Sequence, residues 1–179
     1  MFKMPLGDGL ELRLLDPRHA EEVFAAVDAN RERLRQWLPW VDGTRSPADA
    51  QAFLSMQMAR LAHGESISAG MWVDDAFAGV VEGRLEPLNR TMDLGYWVAG
   101  DFEGRGVVTR SCRELCRHAF EELHYARIEL RCATKNARSV RVAERLGMQL
   151  EGELRSAVQL RDQRLDLRLY ALLAADWRP

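Results

Sequence analysis

At 179 residues, 47% hydrophobic and 29% charged, the chain has the size and composition of one globular domain, which excludes disordered and disulfide-stapled mini-protein classes. Its 25 Lys and Arg against 27 Asp and Glu give a formal net charge of -2, so no general basic field exists to hold nucleic acid. No apolar run reaches the ~18 residues of a membrane span, and the first residues lack the apolar core of a signal peptide. A cytoplasmic protein with no membrane or nucleic-acid partner is expected. Cys112, Cys116 and Cys132 are an odd set without metal-ligand spacing, which predicts reduced thiols and no metal site.

Leu10, Leu12 and Leu14 alternate with Glu11 and Arg13 as in a half-buried strand. Asp16-Pro17 then supplies an N-cap and a first-turn proline for a helix that buries Ala20, Val23, Phe24 and Val27. After Trp37-Leu38-Pro39-Trp40, the run Ser46-Pro47-Ala48-Asp49 has capping-box spacing, and Ala50, Phe53, Leu54, Met58 and Leu61 recur at helical intervals. Beyond Gly64 the period changes to two, which predicts a meander of strands over 67–73, 77–85 and 92–98. Gly104-Arg105-Gly106 follows. The stripe Cys112, Leu115, Cys116, Ala119, Phe120 and Leu123 then predicts one uninterrupted helix. A strand over 128–132, a helix over 137–146 closed by Gly147, and strands over 148–160 and 165–173 complete the order β-α-α-β-β-β-α-β-α-β-β. The expectation is a single α/β domain over residues 1–179, with a mixed central sheet and helices on both faces.

Gly104-x-Gly106 at a strand-to-helix junction is either a tight connection or an anion site. Glycines let backbone N–H groups turn toward one point, and the helix N-terminus adds unpaired donors and partial positive charge, which together suit a pyrophosphate. Arg105 and Arg110 would reinforce it. Walker A and Rossmann patterns are both unmet, since Val107, Val108 and Thr109 follow Gly106 and the preceding strand is antiparallel. In the short helix, Asn136, Ser139, Ala143 and Leu146 share a face, so the Ser139 hydroxyl points inward and needs a partner, either a backbone carbonyl one turn earlier or a ligand. Trp37 and Trp40 either plug the base of the fold or wall an acceptor cleft. His19, His63, His118 and His124 are scattered and expected in solvent.

Phe102-Glu103-Gly104-Arg105-Gly106-Val107-Val108-Thr109 resembles the acyl-CoA loop of the GCN5-related N-acetyltransferases (GNAT). Asn136-x-x-Ser139-x-x-Val142-Ala143-Glu144-x-Leu146-Gly147 resembles the fourth-helix motif of their RimJ/RimL branch, which acetylates ribosomal-protein N-termini, and Leu94-Gly95-Tyr96-Trp97-Val98 and Leu150-Glu151-Gly152 are similar to that branch too. The resemblance implies that the pyrophosphate of acetyl-CoA sits on the amides around Arg105 to Thr109 and that the pantetheine arm runs between two splayed strands. It also implies that Asn136 binds that arm, that Ser139 faces the sulfur, and that Cys132 lies near the acyl site. Three positions depart from the pattern: Glu103 where Gln or Arg is usual, Val108 where Ala or Gly is frequent, and Val158 where a branch member carries a glutamate base.

The expected reaction is direct transfer of acetyl from acetyl-CoA to a primary amine, foremost a protein or peptide N-terminal α-amine. A backbone N–H on a splayed strand would hold the oxyanion, Ser139 would serve the departing thiolate as hydrogen-bond donor and general acid, and a carboxylate, Glu82 or Asp93, or an ordered water would remove the proton. The alternatives are a small acceptor such as an aminoglycoside, polyamine or amino acid, and a catalytically silent acyl-CoA-binding module. A homodimer is compatible with each.

Overall fold

Strands form where apolar residues recur with period two. In the computed structural model, which describes residues 3–178, they are β1 (Lys3–Gly7), β2 (Leu10–Leu14), β3 (Ser66–Val73), β4 (Ala76–Glu86), β5 (Thr91–Val98), β6 (Arg127–Ala133), β7 (Gln149–Leu160) and β8 (Gln163–Leu173). Helices α1 (Ala20–Ala29), α2 (Arg31–Leu34), α3 (Pro47–Ala62), α4 (Val107–Arg117) and α5 (Ala137–Arg145) connect them. The strands form one eight-stranded sheet in the order β1-β2-β3-β4-β5-β6-β8-β7. Neighbours are antiparallel except β5 and β6, whose parallel pairing needs a crossover that α4 supplies.

Each face of the sheet has its own core. On one, α1 and α3 bury Val23, Val27, Ala50 and Leu54 against Trp72, Phe77, Val80 and Trp97. On the other, α4 and α5 bury Cys112, Leu115, Cys116, Val142 and Ala143 against Met71, Val81, Met92, Leu94 and Ile128. All three cysteines are buried free thiols, and burial pushes Cys116 up to about 12.

Four details differ from the sequence expectation. β1 was not foreseen because Pro5 interrupts the alternation of Met4 and Leu6; as an edge strand it pairs with β2 alone, and an edge tolerates proline. The predicted continuous helix keeps α geometry only to Arg117, then widens into a π-turn over His118–Glu122 that leaves Leu123 exposed. On α3 the buried stripe is Ala50, Leu54 and Gln57, with Phe53 turned outward. His19 is not a solvated histidine: Asp16 and His19 cap each other across a short 3-10 turn, and the His19 ring meets Trp72 at 5.5 Å. Hydrogen bonds from Arg18 hold Asp16 down at about 2.

The feature that positions the site is where β5 and β6 stop pairing. Their ladder runs from Thr91 with Arg127 to Leu94 with Leu130 and ends there, although β5 continues to Val98 and β6 to Ala133. The two strands part and leave a wedge-shaped opening through the middle of the sheet.

Candidate active site

Backbone groups alternate along a strand, so the unpaired stretch of β5 exposes every second amide to the opening. Ala99 N–H donates back to Ala78 O on the β4 side, which turns the N–H groups of Tyr96 and Val98 toward the opening. The Val98 carbonyl, which has no strand partner there, accepts from the Arg33 guanidinium of α2. Arg33 also pairs with Glu103, and Arg138 of α5 holds the other Glu103 oxygen at 2.5 Å. The carboxylate that departs from the acyl-CoA loop pattern is therefore neutralised by two arginines.

Glu103 leads into the glycine turn. Gly104 and Gly106 adopt φ of +72° and +74°, the left-handed region that a Cβ penalises, and Gly106 is the N-cap of α4 with no side chain capping the helix. The first-turn N–H groups of Val107, Val108 and Thr109 have no intrahelical partner. The Val107 and Val108 side chains are buried in the core, so their amides sit at the cleft on an anchored turn, and Val108 is accommodated by packing. This is a fixed cluster of donors at a helix N-terminus, suited to a pyrophosphate. Arg105 is exposed with its guanidinium 5.4 Å over the Phe102 ring. Arg110, expected to face the phosphates, turns instead to the β1–β2 connection, where it bonds Leu6 O at 3.1 Å, Gly7 O, and Asp8 at 3.2 Å.

At the opposite lip, Asn136 caps α5: its Oδ1 accepts from Ser139 N–H at 3.2 Å, leaving its NH2 for a ligand. The Ser139 hydroxyl takes no backbone carbonyl. It lies 2.6 Å from the Tyr96 hydroxyl on β5, and burial pushes the Tyr96 phenol well above its ordinary range, so Tyr96 keeps its proton. Cys132 on β6 is also raised by burial, an effect that a hydrogen bond from Ser139 offsets in part.

The other predicted residues lie on the α1/α3 face of the same opening. A cleft of about 1640 Å³ runs from the α4 N-terminus and Ser139 through to this face. Trp37, Trp40, Phe53 and Met56 form one wall, and Leu154, Val158 and Leu167 another. The Trp40 ring lies 6.2 Å from that of buried Trp97, tilted by 56° to it. Asp93 is held by Arg84 at 2.7 Å, whereas Glu82 accepts a hydrogen bond at 2.9 Å from Gln57. Sequence reasoning did not identify Tyr96, Arg33 or Gln57. For Gln57 a signal was available, since it stands three residues after Leu54 on the apolar stripe of α3.

Comparison with known proteins identifies the family of this fold. The model of the acetyltransferase (GNAT) domain family matches residues 9–149. The Bacillus subtilis protein YdaF, a candidate ribosomal N-acetyltransferase, is 33% identical over 99% of this chain and 98% of its own. The ribosomal-protein-serine acetyltransferase of Escherichia coli is 28% identical over 93% of both chains. The structure of RimL, a ribosomal L7/L12 alpha-N-protein acetyltransferase in complex with coenzyme A as a cysteine disulfide, superposes with a TM-score of 0.94 at 26% identity and covers 98% of this chain and 99% of its own. With the family model matching most of its length and a full-length relative at 33% identity, this chain belongs to the GCN5-related N-acetyltransferase family.

Proposed function

We propose that this acetyl-CoA-dependent N-acetyltransferase acts on the α-amine of a protein or peptide N-terminus, of the ribosomal-protein kind, as a single domain spanning residues 1–179. The observation that carries the reading is the two-sided opening between β5 and β6. Donors for an acyl-CoA lie on one face, and an aromatic-walled cleft with a carboxylate lies on the other. The acetyl-CoA pyrophosphate rests on the first-turn amides of α4, with Gly104, Arg105, Gly106, Val107, Val108 and Thr109 forming the loop. Asn136 offers its NH2 to the pantetheine arm. The N–H groups of Tyr96 and Val98 face the place where an oxyanion develops, and Ser139, backed by Tyr96, donates a hydrogen bond to the departing thiolate.

The α-amine is favoured by its chemistry. Its reference pKa of ~7.7–8.0 against ~10.4 for lysine leaves a useful neutral fraction at pH 7, so less is asked of a base than with a lysine acceptor. A polyamine, the acceptor of the Escherichia coli spermidine N(1)-acetyltransferase that is 24% identical over 84% of this chain, calls for several free carboxylates. Here Asp93 is already occupied by Arg84 and Glu103 by two arginines. Trp37 and Trp40 suit an extended chain end instead.

Mass spectrometry of products from peptides carrying a free N-terminus and an internal lysine tests the assignment. Acetylation at the N-terminus is expected. Modification chiefly on lysine, or faster turnover of spermidine than of every peptide, overturns it. Nothing in the mechanism requires a second chain, and sedimentation equilibrium decides between monomer and homodimer.

A further inference from the structure

Gln57 is a buried polar residue on the apolar face of α3, 3% exposed beside Ala50 and Leu54. A buried amide is tolerated when its hydrogen bonds are made, and both ends of this one are. Its Nε2 donates to Glu82 Oε1 at 2.9 Å, and its Oε1 accepts from the Ser66 hydroxyl at 3.3 Å, at the fully buried start of β3. A carboxylate only accepts, so the NH2 end must face Glu82, and Ser66, then obliged to donate, locks the amide in that sense.

The clamp holds one oxygen of Glu82 and leaves the other toward the cleft. Glu82 pairs across the sheet with Gly95, the first residue of β5 beyond the last β5–β6 pair. Gly95 carries no side chain, and a Cβ built there would lie 3.9 Å from Glu82 Oε2 and equally far from an Arg84 nitrogen, whose salt bridge is to Asp93. Glu82 thus reaches over bare backbone at the level where the strands part. On the opposite face, one residue along, stand Tyr96 and Ser139. Asp93 is differently placed: its Oδ2 pairs with the cationic Arg84 at 2.7 Å and its Oδ1 is buried away from solvent, so an incoming ammonium would meet a carboxylate already beside a guanidinium. Among the described residues no arginine or lysine pairs with Glu82.

We propose that Glu82 is the carboxylate that takes the acceptor's proton, and that Gln57 is its positioning residue, with Ser66 fixing the amide. The assignment rests on the acetyl-transfer reading above and deepens it. As the neutral amine attacks, the C–N bond forms and the C–S bond breaks with its electron pair on sulfur. One N–H proton passes to Glu82 Oε2, leaving amide, thiolate and carboxylic acid, and the last two exchange protons with solvent after release. Gln57 touches neither substrate. It confines Glu82 to the rotamer that meets the opening.

A double-mutant cycle tests the proposal on any amine that the unaltered protein acetylates. A wrong acceptor class then shows in the unaltered protein, and a wrong role for Gln57 shows only in the cycle. E82Q is expected to lower kcat by about 10²-fold, the lower range for a general base, and Q57M by about 10-fold, both with the Kd for acetyl-CoA unchanged by calorimetry. Added to E82Q, Q57M should cost nothing further, because there is no carboxylate left to position. A merely structural Gln57 would cost the same in both backgrounds, and that result, or an undiminished kcat in E82Q, overturns the proposal. S66A supplies a second arm in which the amide is freed but kept. Its smaller loss of kcat should likewise vanish in the E82Q background, and an equal loss there overturns the proposal whether or not Q57M folds.

Discussion

In the proposed reaction Ser139 works with a partner. Burial holds the Tyr96 phenol protonated 2.6 Å from Ser139 Oγ, and either hydroxyl can be the donor of this pair; when Tyr96 donates, the Ser139 proton can turn from Cys132 to the CoA sulfur. Loss of one such donor in other enzymes costs about 10²–10³ in kcat. Ser139→Ala should therefore lower kcat to that extent with little change in the Kd for acetyl-CoA, and an unaltered kcat with chemistry shown to be rate-limiting would return Ser139 to a packing role. Tyr96→Phe keeps the ring and removes the bond, so a smaller fall in kcat is expected in the same assay. Cys132 gives a pH prediction of definite sign. Its pKa is raised by burial, so its thiolate fraction at neutral pH is below that of a free cysteine. Alkylation, followed by mass spectrometry, should be slow at pH 7 and should accelerate only above the ordinary thiol range. Rapid neutral labelling would contradict the burial argument. Asn136 and Ser139 were legible in the sequence because a cap and a helix face are local patterns. Tyr96 and Gln57 were not, since their partners lie 43 and 25 positions away and only the register of the sheet brings them together.

At the level of elements, periodicity located the strands and helices that carry the site, because burial on alternate faces and along helical stripes leaves a direct trace in residue order. It did not disclose where the β5–β6 ladder ends. Leu94 and Leu130, the last pair, are followed by apolar Tyr96 and Val98 on β5 and Cys132 on β6, so alternation continues unbroken while the strands diverge. What stabilises the divergence is Arg33, a residue of a short helix with no periodic signature, through the Val98 carbonyl and Glu103. Arg33→Ala leaves the Val98 carbonyl without its donor and Glu103 with Arg138 alone, which should destabilise the fold by ~1–3 kcal/mol and weaken acetyl-CoA binding; chemical denaturation and calorimetry measure the two effects. Glu103→Gln is a sharper test of the loop. If the Glu103 carboxylate repelled phosphates, removing its charge would tighten acetyl-CoA binding. With Arg33 and Arg138 already compensating it, no gain in affinity is expected, and a clear gain would show that the ion pairs do not screen it.

For the whole molecule, the opening proposed to take acetyl-CoA is a seam in the sheet. Strands β1 to β5 pair with β6 to β8 through four residue pairs, Thr91 to Leu94 with Arg127 to Leu130, and one helical core lies on each face of the sheet. A ligand seated there contacts α4, α5 and both strands, none of which can hold it in an unfolded chain, so its binding free energy adds to folding stability. At a hundred times its Kd, acetyl-CoA should contribute ~2.7 kcal/mol, and with ~2–4 °C per kcal/mol for a domain of this size, Tm should rise by about 5–10 °C. NAD and ATP, which lack the pantetheine arm proposed to fill the seam, should give far smaller shifts. Hydrogen exchange should slow at Tyr96 to Val98 and Arg131 to Ala133, where the ladder is missing, more than in the β2–β4 meander. Gly106→Val separates this linkage from a general effect on packing. At φ of +74° a β-branched residue is strained by ~1–2 kcal/mol, so the ligand-free Tm should fall by a few degrees while the circular dichroism spectrum stays folded. The same Cβ stands at the phosphate approach, so the acetyl-CoA-induced shift should largely disappear. A full shift in Gly106→Val, or one equally large with ATP, would mean that the ligand binds elsewhere and that the parted strands are not its seat.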